Sequence, residues 1–105
     1  MKVIITQTAE DSLAEIYQYK CEYSVDHADE FIRSIYAFTT DNLSEFPRLG
    51  HVYNAECGLF RLIYSKAYNI YYRIREQEVF VLFIIDASIS LNEELADPKI
   101  TLPEQ

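Results

Sequence analysis

The residues of this sequence best suited to chemistry are arginines. Arg61, Arg73 and Arg75 stand among aliphatic and tyrosine side chains in residues 58–75. Guanidinium groups projecting from adjacent strands of one sheet hold phosphates or carboxylates in bidentate fashion. The plainer alternative is a set of solvated side chains lying along tyrosine rings or paired with Glu56, Glu76 and Glu78. Cleavage of RNA needs more than charge on the phosphate: one group must take the 2′-hydroxyl proton and another must protonate the leaving oxygen. Tyr71 and Asp86 are the candidates for proton transfer, although a sheet tyrosine more often packs and a strand-end aspartate is more often solvated. The catalytic residues thus stay unknown, with Arg61, Arg73, Tyr71 and Asp86 as candidates. His27 and His51 read as surface residues, and with Cys57 they lack any spacing suited to zinc. Cys21 and Cys57 are expected to be reduced, inert thiols. No phosphate-cradling glycine loop, serine-nucleophile motif or Cys-x-x-Cys pair is present, so no metal or cofactor is expected.

The elements that must position these residues follow from periodicity. Residues 3–6, VIIT, form a short apolar run that reads as a strand. Thr8, three residues before Asp11, has capping-box spacing, and Ala9, Leu13, Ile16, Tyr17 and Cys21 follow at helical intervals, predicting a helix to about Tyr23. Asp26 is expected to cap a second helix carrying Phe31, Ile35, Phe38 and Leu43 on one stripe, stopped by Pro47 and Gly50. From Gly58 the period becomes two. Phe60, Leu62, Tyr64, Tyr68, Ile70, Tyr72 and Ile74 take one face, and Leu59, Arg61, Ile63, Asn69, Tyr71, Arg73 and Arg75 the other. Residues 79–85, VFVLFII, are apolar on both faces, as in a strand covered on both sides. The expected fold is α+β: an N-terminal strand, a helical hairpin, then a three-stranded antiparallel meander, forming one mainly antiparallel sheet with helices on one face. Residues 91–96, LNEELA, would add a turn or two of helix before Pro98.

At 105 residues the chain is one domain, expected to divide into a core of residues 1–86 and an acidic extension of residues 87–105. No segment has the length and apolarity of a membrane span or of a secretory signal, so a soluble, cytoplasmic protein without membrane contact is expected. The net charge of −8 is unevenly spread. Residues 47–85 carry five bases against three acids, while the segments on either side are acidic. An acidic shell around a locally basic sheet suits a confined anionic or acidic partner and argues against direct binding to free DNA.

The order of elements, with the helix register AEDSLAEIYQY, the FPRLGH that ends the second helix, and the strands GLFRLIY, YNIYYRI and VFVLFII, resembles toxins of the RelE/ParE superfamily of bacterial type II toxin-antitoxin, plasmid-stabilisation modules. The resemblance covers roughly residues 2–86 and is closer to the ParE-like branch. It implies a cognate antitoxin as partner. ParE-like members poison DNA gyrase by binding it, whereas RelE-like members cleave messenger RNA on the ribosome. Arg61 matches the strand arginine after the glycine, and Arg73 and Arg75 the basic end of the next strand. Where the superfamily commonly places a His-x-Arg segment or a tyrosine after the last strand, this chain has Asp86, Ala87, Ser88, Ile89 and Ser90. That departure favours a toxin acting by protein binding, such as gyrase inhibition, over a RelE-type endoribonuclease. A detoxified relative that keeps the fold as a binding protein is the third alternative.

The expected partner surface is the face bearing Leu59, Arg61, Ile63, Tyr71, Arg73 and Arg75, which mixes apolar area with charge anchors. The chain's own acidic tail, with Ile89, Leu91, Leu95, Ile100 and Leu102, is expected to cover part of that face when no partner is bound.

Overall fold

Thr6 decides where the first strand ends and the first helix begins. A computed structural model describes residues 1–89 of the chain. In it β1 (Lys2–Ile5) gives way at Thr6, whose extended backbone makes it the N-cap of α1 (Gln7–Cys21). Its hydroxyl accepts from the Ala9 N–H at 3.4 Å and donates to the Val81 carbonyl at 2.7 Å, so one buried side chain caps the helix and ties it to the sheet. The expected cap, Thr8, lies inside the first turn and donates instead to the Leu82 carbonyl at 2.7 Å. The second helix is likewise capped two residues earlier than expected. Ser24 Oγ accepts from His27 N–H at 3.2 Å, and α2 runs Val25–Glu45 with Asp26 in its first turn, where a carboxylate favours the helix dipole. Tyr17 Oη donates to Asp29 Oδ1 at 2.7 Å across the helical hairpin.

The sheet has five strands, one more than the sequence suggested. The addition is β2 (His51–Asn54), a short edge strand where a loop was expected, followed by β3 (Leu59–Tyr64), β4 (Tyr68–Arg75) and β5 (Glu78–Asp86). The strand order is β1-β5-β4-β3-β2, antiparallel throughout β2 to β5 and parallel only between β1 and β5. The antiparallel meander is therefore four-stranded. Tight turns join its later strands: Glu76 with Gln77 form a two-residue hairpin loop and Ser65 with Lys66 lie in a three-residue one, all four with positive φ, the backbone that matches the strand twist.

The alternation expected for β3 and β4 holds. Phe60, Leu62, Ile70 and Tyr72 join Ala9, Leu13, Ile35 and Leu43 in the main core between helices and sheet. Ile35 and Leu43 are fully buried, and each such side chain contributes about 1.5–3 kcal/mol of transfer free energy. Leu59, Tyr71, Phe80, Leu82 and Phe83 form a second, smaller cluster on the opposite face. β5 serves both because Leu82 is a bulge: Tyr72 pairs with Val81 and Tyr71 with Phe83, leaving Leu82 without a partner on β4. Val79, Val81 and Ile84 consequently share the helix side although the last breaks the two-residue period. Among the described residues no helix is long and apolar enough to cross a membrane. The helical turn expected at LNEELA and the tail contact with the sheet lie outside the described residues.

Candidate functional site

The face of the sheet away from the helices brings the arginines together with three aromatic or polar side chains. Arg61 on β3 is directly opposite Tyr71 on β4. Tyr53 joins them because β2 bulges between Val52 and Asn54, leaving Tyr53 as the extra residue. Its ring meets that of Tyr71 edge-on at 5.1 Å, and the Arg61 guanidinium carbon lies 5.3 Å from the Tyr53 ring centre, within cation–π range. Asn69, two residues before Tyr71 and therefore on the same face, donates from Nδ2 to the Tyr71 hydroxyl at 3.4 Å.

Burial pushes the Tyr71 hydroxyl above its ordinary range, against the opposing pull of the Asn69 hydrogen bond and the Arg61 charge. The group is thus a neutral donor or acceptor near pH 7. Arg73 follows two residues along β4 and is half-buried. Its Nη1 is shielded from solvent and meets no hydrogen-bond partner among the described residues. Burial lowers its affinity for the proton, with nearby Cys57 acting in the opposite sense and Arg75 reinforcing the lowering, yet a guanidinium stays charged at any ordinary pH. Arg75 is exposed at the strand end opposite Glu78.

The six residues expected to form a partner surface all fall on this face, but they are unequal. Ile63 is 47% exposed, whereas Leu59 and Tyr71 are 0% and 1% exposed and so support the surface from beneath. Asp86 is elsewhere. It pairs with Tyr68, whose ring packs on Phe31 of α2, so its side chain belongs to the helix face and not with the arginines. Hydrogen bonds from Ser88 Oγ at 2.7 Å and Ser88 N–H at 2.9 Å hold its carboxyl below the usual range, and Lys20 adds to the effect. Sequence reasoning missed Tyr53 and Asn69. Residues 51–54, HVYN, carry no apolar alternation that would have marked the edge strand bearing Tyr53.

Gly50 fixes how β2 meets the rest of the site. Its N–H donates to the Tyr72 hydroxyl at 2.9 Å, and a methyl group there would lie 2.7 Å from the Arg61 carbonyl oxygen. Only a residue without Cβ lets the chain pass this close to β3.

Residues 3–90 match the family described as ParE toxin of type II toxin-antitoxin system, parDE. The chain belongs to this family. No curated protein matches it. The match runs from β1 to just past the end of β5 and so takes in every residue of the arginine face. As a ParE-family toxin of a type II module, the chain has an antitoxin as its implied partner.

Proposed function

We propose that this toxin acts in the bacterial cytoplasm by seizing a protein target, DNA gyrase, and that the arginine face supplies the contact. The state of Tyr71 carries this reading. It is the one proton-transfer candidate beside Arg61, and burial holds it protonated, far from the near-neutral value that an efficient general base requires. Asp86, the other candidate, belongs to the opposite side of the sheet. What the face offers is binding: Arg73 Nη1 without a partner among the described residues, Arg61 over an aromatic ring, and exposed Ile63 alongside. A carboxylate on the target would accept a charge-assisted hydrogen bond from the half-buried Arg73 guanidinium at an edge other than the shielded Nη1.

The test compares two targets with one preparation. Purified toxin should inhibit gyrase supercoiling and leave messenger RNA on programmed ribosomes intact, and Arg61→Ala should weaken the inhibition in a folded variant. Codon-dependent cleavage that Arg61→Ala abolishes would replace this reading with a RelE-type endoribonuclease. Inactivity in both assays would point to a detoxified binding protein.

A further inference from the structure

The sheet face that carries the arginines is drier than its position explains. An antiparallel sheet with helices on one side leaves the other side to water, and Ile63 on this face is accordingly 47% exposed. Its neighbours differ. Leu59 and Leu82 are 0% exposed, Tyr71 1% and Phe80 2%. The cluster they form draws on the strands and on Cys57 in the turn before β3, while α1 and α2 pack into the main core across the sheet. Tyr53 packs on Tyr71 and Arg61 reaches Tyr53, but β5 lies two strands beyond Arg61, so these side chains do not account for Phe80 and Leu82. Nη1 of Arg73, directly opposite Phe80, is likewise shut off from solvent. Burial this deep calls for a layer of chain over the face, and it is present in a single molecule, so the cover is intramolecular.

Residues 90–105 are the part of the chain left to supply it. The described chain ends beside the face. Ala87 N–H donates to the Ala67 carbonyl at 2.8 Å, Ile89 N–H turns back to the Asp86 carbonyl at 2.9 Å, and Ile89 lines a hollow together with Phe83 and Ile85, which belong to the buried cluster or pack against it. Phe80 stands six positions before Asp86, about 20 Å along the strand. The sixteen residues 90–105 span up to about 50 Å when extended, so reach is ample. Charge fits as well, with Glu93, Glu94, Asp97 and Glu104 against a single Lys99 to meet Arg61, Arg73 and Arg75, and Leu91, Leu95, Ile100 and Leu102 to meet the apolar cluster. We propose that residues 90–105 fold back over the arginine face as a built-in competitor that the target must displace. Tethering gives this weak contact a high effective concentration, and the acidic residues set how readily it yields. The regulatory consequence rests on the reading of this face as the target contact, whereas the position of the segment does not.

The test uses the full chain with Cys21→Ala and Cys57→Ala, carrying a nitroxide on Asn92→Cys and labelled for amide NMR. The nitroxide should broaden the amides of Arg61, Tyr71 and Arg73 and spare the exposed side of α2. High salt should weaken that broadening, as should Glu93→Lys combined with Glu94→Lys and Asp97→Lys, with circular dichroism confirming the fold. The same triple variant should inhibit gyrase about tenfold more strongly than the parent, the sum of three exposed ion pairs released. Broadening centred on α1, no broadening of the sheet, or broadening indifferent to both salt and charge reversal would each overturn the proposal. Equal inhibition by parent and variant after the broadening is lost would overturn the competitor role. Absence of gyrase inhibition in both proteins, with the broadening as expected, would sink the gyrase reading and leave the placement of residues 90–105 standing.

Discussion

Replacing Arg73 with methionine should make the toxin more stable and a poorer inhibitor. Nη1 of Arg73 is shielded from solvent without a hydrogen-bond partner among the described residues. A buried donor left unsatisfied costs about 1–3 kcal/mol, and because the rest of the side chain is only half-buried the low end, about 1 kcal/mol, applies. Methionine keeps an unbranched apolar stem beside the cross-strand partner Phe80 and removes the donor. In a domain of this size about 1 kcal/mol moves the melting temperature by about 4–8 °C, so Arg73→Met should melt that much higher by circular dichroism. On the target side, a lost hydrogen bond from a charged group is worth about 1.5–3 kcal/mol, which weakens inhibition of supercoiling at least about tenfold. A lower melting temperature in Arg73→Met would show that the guanidinium is already satisfied in the folded protein, and the argument from its missing partner would fail. Unchanged inhibition would return Arg73 to a packing role.

Gly50→Ala should destabilise the domain by about 2–3 kcal/mol in denaturant unfolding, through overlap with the Arg61 carbonyl oxygen and loss of the bond to Tyr72. Combining it with Tyr72→Phe should cost less than the sum of the two single changes, since both remove the same hydrogen bond. Alkaline pH should unfold the protein for a related reason: burial raises the pKa of Tyr71 and of Tyr72, so unfolded tyrosines ionise first. Their contribution to stability is then fully present below about pH 10 and is lost as pH rises through and beyond that value. Denaturant midpoints measured across that range, with tyrosinate absorbance as a second signal, check this, and a flat profile would contradict it.

The faces of β3 and β4 were readable in the sequence because strict two-residue alternation leaves one assignment for each side chain, and the arginines fell where it put them. Three features were not readable, each for a physical reason. HVYN is short, mostly exposed and without apolar alternation, so nothing in it signals an edge strand, and the Tyr53 contact went unseen with it. VFVLFII is apolar at every position, which hides the bulge at Leu82 that moves Ile84 to the helix side. The helix caps slipped by two residues because Thr6 and Thr8, like Ser24 and Asp26, are all competent caps. For α1 the contact of Thr6 with Val81, 75 residues away, marks the cap that tertiary structure holds. Of the candidate site, the charge and its face were legible, while burial of Tyr71 depends on neighbours that no local pattern names.

The pairing of the first strand with the last sets an order of events during synthesis. Lys2 to Ile5 emerge early, yet their partners Glu78 to Val81 are made near the end. The helical hairpin rests on local contacts and can form while translation continues, whereas β1 must wait for β5 and crosses almost the whole length of the domain to meet it. The arginine face, which needs β3 and β4 braced by β5, is therefore assembled only when nearly all of the matched region has left the ribosome. A chain interrupted before residue 78 would hold the helices and the β3–β4 hairpin but lack β5, the strand that braces the arginine face.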